Sequence, residues 1–322
     1  MLLRLLARLA QVRVTVSYAV TVTCITVALY SLGPQVQDRV IRHVSTNLHN
    51  LSHGHFGTLV SSAFVIDSGP IYVWLPGLVC LLALAELTFR SRLLVATFAA
   101  GHIGATLLVA AGLTAAVELG WLPLSVSRAT DVGMSYGAAA VLGSLTAAIP
   151  GRWRPAWLGW FLAVGMAVVA VGRDFTDVGH AVALALGMLV ATRFRLQENW
   201  TLTRFVMLAG AAGFGYLVLA STDMLVATAA GLAGAVVGEA LARLRSARVS
   251  AALSPSAVAH LRDYEAPARG DRLVQERVRR NHGAPHQVGE TLVADRLAVT
   301  GPVRRAVAPV SNACEARIRH RL

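Results

Sequence analysis

The chain has 322 residues, 55% of them hydrophobic and only 14% charged, with a net charge of +12; a soluble domain carries about a quarter charged residues, which excludes that class. All 29 basic residues are arginine and stand mainly at the ends of apolar runs or in the C-terminal segment, so the positive charge is no nucleic-acid footprint and no nucleic-acid partner is expected. With a mean hydropathy of +0.59 and apolar runs recurring from Val14 to Ala242, the fold class is all-α, a polytopic membrane helix bundle in a lipid bilayer.

In chain order, the basic, amphipathic start is followed by an apolar run over about 14–32. That run is too long for a signal-peptide core and has no clear cleavage site, so it reads as an uncleaved first span ending at Gly33-Pro34. Residues 35–50 are polar, and 51–69 are too short and too polar for a span, which predicts an interfacial or re-entrant segment. Further spans are expected over 71–89, 93–117, 131–149, 156–171 and 178–192, then a hairpin of 205–220 and 224–241. The domains are a membrane core over 1–195 with an external loop at 34–70, an extra transmembrane hairpin over 196–248, and a basic, mostly disordered cytoplasmic tail over 249–322. Cys24, Cys80 and Cys314 form neither a disulfide framework nor a metal-ligand spacing.

Arginine placement orients the bundle. Before the tail, thirteen arginines (4, 8, 13, 90, 92, 152, 154, 193, 195, 204, 243, 245 and 248) collect on one side and four (39, 42, 128 and 173) on the other. By the positive-inside rule the richer side is cytoplasmic, and both termini lie there, in a multi-pass protein of the cell membrane.

Two runs open alike, Asp131-Val-Gly and Asp177-Val-Gly, and both enter from the external face. The aspartates read as helix N-caps. Ser135 and His180 follow them by four and three residues, which puts both about one turn below that face. Small residues repeat on each run (Gly133, Gly137, Ala140, Ser144; Gly179, Ala183, Gly187, Ala191) and let membrane helices approach closely. Such contact would bring the serine oxygen within reach of the imidazole as nucleophile and general base. A histidine inside an apolar run is costly and usually functional, although a serine in a small-residue stripe also serves for packing alone. The string Gly133-Met-Ser-Tyr-Gly137 fits the elbow of soluble hydrolases, but that elbow needs a preceding strand, so that fold is discarded. His49, His53 and His55 are spaced so that two imidazoles could meet zinc, yet only Asp67 stands near as a further ligand. They read mainly as interfacial histidines, and no cofactor is expected. His102, inside the third span, reads as a packing hydrogen bond.

At these residues the chain resembles the rhomboid family of intramembrane serine proteases, in particular the rhomboid-like membrane proteins of actinobacteria. The resemblance covers roughly residues 14–195 and implies a rhomboid-like six-helix core, to which the C-terminal two-helix hairpin is added. Gly133 and Ser135 match the start of the family's Gly-x-Ser-Gly motif at the head of the fourth helix. His180 matches its histidine at the head of the sixth, with Ala183 and Gly187 where the family has small residues. Residues 35–69 resemble its external first loop. Tyr136 stands where the family usually has glycine, and Gly137 comes one place late. The family's oxyanion-holding histidine and asparagine at the head of the second helix have no match in the register of the span at 71–89; in another register His55 matches the histidine, and Leu59 falls on the asparagine.

The resemblance implies an intramembrane serine protease that cuts transmembrane segments of other membrane proteins. Ser135 would be the nucleophile, His180 the base, and Gly133, Tyr136, Asn50 and His55 the candidates for oxyanion or substrate contact. The alternatives are a catalytically inactive rhomboid-like protein that binds membrane clients, and a zinc-dependent membrane hydrolase using the loop histidines.

Overall fold

A computed structural model describes residues 7, 9–67, 71–172, 174–193, 200–220 and 223–252. The expected tail lies, beyond Ala252, outside the described residues, as do Arg173, Arg195 and Cys314. Every regular element among the described residues is helical. The long ones are α1 (Arg13–Leu32), α5 (Ile71–Phe89), α6 (Ser91–Glu118), α8 (Arg154–Gly172), α10 (Leu202–Leu219) and α11 (Met224–Ala252). Those six are long and apolar enough to cross a membrane. Between them lie α9 (Phe175–Ala191) and the short α7 (Ser135–Ser144), which a 3-10 turn at Leu145–Ala147 extends. The chain is therefore a multi-pass helical membrane protein.

The segment after α1 is helical in pieces: α2 (Pro34–Val44), α3 (Leu48–Ser52), α4 (Thr58–Ser61) and a 3-10 turn at Ser62–Phe64. Its later part packs against α1 and α6. The Tyr18 hydroxyl donates to the Ala63 carbonyl at 2.6 Å, and Tyr18 lies only about 7.5 Å along α1 from Arg13. This segment between α1 and α5 thus reaches toward the arginine-rich end of the bundle.

The short helix α7 is the hub. Residues 136–149 are all buried, enclosed by α5, α6, α9 and α10. The Ala- and Gly-rich sequence makes this possible. A Cβ added at Gly187 of α9 would collide with the Ala140 carbonyl, and one at Gly143 with the Leu184 carbonyl. On the opposite side Gly101 of α6 meets the Ala140 methyl. Backbones touch where side chains would otherwise hold the helices 8–10 Å apart. The hairpin completes the enclosure. Phe214 of α10 covers Gly77 of α5, and α11 runs along α8 where Gly159 and Gly234 meet backbone to backbone.

At the arginine-rich end a buried carboxylate ties three helices. Glu86 is 2% exposed and accepts from the Val14 and Thr15 N–H groups (3.0 and 2.9 Å), the Thr15 hydroxyl (2.8 Å) and the Ser91 hydroxyl (2.6 Å). It satisfies donors at the starts of α1 and α6 that no intrahelical carbonyl reaches.

The capping expectation for both aspartates is corrected. The helix expected from residue 131 begins at Ser135, behind Met134, which makes no side-chain cap. Asp131 belongs to the loop, its N–H donating to Ser45 Oγ at 2.8 Å and its carbonyl accepting from Thr46 N–H at 2.9 Å. The second helix begins earlier than expected, because Asp174 is the cap, accepting from Thr176 N–H at 3.2 Å. Asp177 lies within its first turn.

Replacing Gly187 by valine forces α7 and α9 apart and is expected to cost at least 1–3 kcal/mol, as overpacking does. Gly213, where an added Cβ meets nothing within 4 Å, is the control, and Gly213→Ala leaves the melt unchanged or slightly raised. Thermal melts in detergent check both; a Gly187→Val protein that melts like the wild type would refute the backbone contact.

Candidate functional site

The descent of the chain into the bundle is set by Gly133. Its φ of +120° is a conformation that side-chain-bearing residues rarely adopt, and its N–H donates to the Ser62 carbonyl at 2.9 Å. Two residues later α7 starts with Ser135, which is half-buried. Because α7 is short, Ser135 begins its helix inside the bundle and at a depth shared with the middle of α6, where Gly101 packs on Ala140.

His180 lies on α9 with 9% exposure. Neither of its ring nitrogens has a hydrogen-bond partner, so no hydrogen bond joins it to Ser135. Its neighbour is Tyr136, whose ring meets the imidazole edge-on, centroids 5.2 Å apart and planes at 79°. The same ring lies against Gly179, where a Cβ would collide with it. Glycine at 179 and tyrosine at 136 are therefore a fitted pair that covers His180. The Tyr136 hydroxyl lies toward Asp131 but completes no hydrogen bond.

Burial pushes the Asp131 carboxyl up to about 6, against a smaller downward pull from the Tyr136 hydroxyl. Its unfolded value of 3.8 is lower. The protonated carboxyl is thus the form the fold accommodates, and stability is lost as pH rises from about 4 through about 6.

The segment between α1 and α5 closes over this head. Ser45 and Thr46 hold the Asp131 backbone, and Ser62 holds Gly133. The Thr46 hydroxyl lies 2.9 Å from both the Thr58 carbonyl and Ser62 Oγ. Ser62 Oγ in turn lies 3.1 Å from His102 Nε2. His102 thus makes the packing hydrogen bond expected of it, at the twelfth position of a 28-residue helix, while its Nδ1 is buried without a partner. This buried serine–histidine contact was not legible as a pair, since its members are forty residues apart and one sits in a segment of uncertain depth.

The remaining candidates are in the segment between α1 and α5. Asn50 is buried, and its amide group donates to the Arg42 and Ser45 carbonyls at 3.2 and 2.7 Å, locking the loop. His55 is exposed, its ring 6.4 Å from that of His43. The His49 and His53 rings are 4.3 Å apart, with His53 Nδ1 2.7 Å from the His49 carbonyl, a helical contact that takes one ring nitrogen. Among the described residues no three His, Cys, Asp or Glu side chains converge as a metal-ligand set. Glu86 escaped sequence reasoning, although a lone carboxylate in an apolar run was the signal that could have found it.

The family model described as a rhomboid-like protein matches residues 11–198. No curated protein matches the chain, and no solved structure does.

Asp131→Asn is expected to raise the melting temperature at pH 8 and leave it nearly unchanged at pH 4. A pH-independent effect would show that burial does not raise the Asp131 carboxyl.

Proposed function

Since the chain belongs to the rhomboid-like protein family, we propose that it is a rhomboid-type membrane protein that binds transmembrane clients without cutting them. One observation carries this reading: the Tyr136 ring occupies the space beside His180. The resemblance puts a glycine there, with no side chain to fill the gap between the serine and histidine helices. A general base must lie within about 2.6–3.2 Å of the atom whose proton it removes, and the His180 nitrogens are instead buried without partners. The oxyanion side agrees. The head of α5 offers Ile71, Tyr72, Val73 and Trp74, and Asn50 donates its amide within its own loop. An absent oxyanion donor is typically worth ~10²–10³ in rate. The arginine distribution supports a plasma-membrane protein with both termini in the cytoplasm.

A second reading, the Ser135–His180 protease, has its own support. Ser135 begins an uncapped helix, and α7 and α9 are in backbone contact just below it. His180 keeps both nitrogens unengaged. A turn of the Tyr136 side chain would leave serine and imidazole on facing heads, with the Ser135 N–H as an oxyanion donor.

A fluorophosphonate probe separates the two. Folded wild-type protein in detergent is expected to stay unlabelled and to recover a photo-crosslinked transmembrane peptide intact. Tyr136→Gly is expected to gain labelling that Ser135→Ala and His180→Ala each abolish. Wild-type labelling lost in both single variants would instead establish the protease.

A further inference from the structure

A cavity of about 560 Å³ lies away from Ser135 and His180. Its walls are the first half of α1 (Val14, Ser17, Tyr18, Thr21), the first half of α6 (Leu94 to Ile103) and residues 59–64. The walls are almost wholly apolar. The Tyr18 hydroxyl is turned to the Ala63 carbonyl, and His102 engages Ser62 through Nε2.

Length and charge select the occupant. Along α1 the cavity runs from Arg13 to Thr21 and along α6 from Leu94 to Ile103, which is ~12–14 Å at 1.5 Å per residue. One leaflet of a bilayer has ~15 Å of hydrocarbon, half of the ~30 Å core. A client helix crossing the whole membrane would run on past the cavity, whereas residues 59–64 meet its inner part. The outer end is cationic. Arg13 lines it, and Arg90 and Arg92 stand beside it, because Val14 and Ser91 bind the same Glu86 oxygen. All three arginines are exposed, and none forms an ion pair among the described residues. The buried Glu86 carboxylate faces backbone N–H and hydroxyl donors of α1 and α6 and makes no ion pair with these arginines.

We propose that this cavity is a binding site for an anionic phospholipid of the leaflet on the arginine-rich side, its headgroup phosphate at Arg13, Arg90 and Arg92 and one acyl chain between α1 and α6. Basic pockets between transmembrane helices hold anionic headgroups in this way. The site is independent of whether Ser135 is active.

The test uses full-length protein with phosphatidylglycerol and phosphatidylcholine as probes, read by native mass spectrometry. The wild type is expected to retain one phosphatidylglycerol in preference to phosphatidylcholine. Arg13→Gln should cut that preference about five-fold, and Arg90→Gln and Arg92→Gln similarly. Ala99→Phe, which fills the cavity, should lose both lipids with its melting temperature retained. Should Ala99→Phe fail to fold, the wild type alone decides. A phosphatidylglycerol with a diazirine at the chain end is expected to label peptides carrying residues 59–64 and 98–103. Equal retention of the two lipids, labelling confined to other helix faces, or displacement of the lipid by a transmembrane peptide crosslinking at the same residues would each overturn the proposal.

Discussion

The contact on which this molecule depends is the one between the backbones of α7 and α9. Ala140 and Leu184 present carbonyls to Gly187 and Gly143 with no side chain between them. In a membrane the lipid tails are as apolar as any core, so burial of hydrocarbon does little to hold helices together. Close packing has to do it, and the gain from dispersion falls steeply with a gap of even half an ångström. The choice of Gly and Ala on both faces is therefore what makes α7 the hub. It lets residues 136–149 lie fully enclosed although the helix is only ten residues long before its 3-10 extension.

The shortness of α7 has a cost that the rest of the chain meets. A helix that starts inside the bundle leaves a half-buried loop before it whose backbone groups need partners. The segment between α1 and α5 supplies them: Ser45 and Thr46 for Asp131, and Ser62 for Gly133. The same segment is fixed in turn by His102 on α6 and Tyr18 on α1. At the other end Glu86 does the equivalent for the starts of α1 and α6. Two polar knots, one at each end, thus hold an apolar bundle in register. Each hydrogen bond contributes on the order of 1 kcal/mol net, so the knots matter more for position than for total stability.

Much of this was legible in the sequence, and the failures share a cause. The apolar runs located the six long helices, because length and hydropathy are local properties, although the last one continues to Ala252, past the expected end at 241. The family resemblance matched a region that the family model covers, residues 11–198. The small-residue stripes on the two runs anticipated the contact between α7 and α9. Helix ends were less legible. Asp131 and Asp177 look alike in sequence, yet one lies in a loop and the other inside a helix, because long-range bonds from Ser45 and Thr46 hold the first extended. The Ser62–His102 contact and the Glu86 knot depend on which segments meet in space, and no local pattern encodes that.

Tyr136 shows how one residue changes what a pair of packed helix heads can do. The helix heads that carry Ser135 and His180 are held together by contacts below them, at Ala140, Gly143, Leu184 and Gly187. Those contacts do not involve residue 136, so the packing would persist with glycine there. Tyrosine is accommodated because residue 179 is glycine, leaving room for the ring against the backbone of α9. The phenol then covers an imidazole that makes no hydrogen bond of its own. Filling that space removes the void which a glycine would leave beside a buried histidine, and a void costs the contacts its lining loses. Stability and access to the histidine are thus opposed at this one position, and the sequence has chosen the filled arrangement.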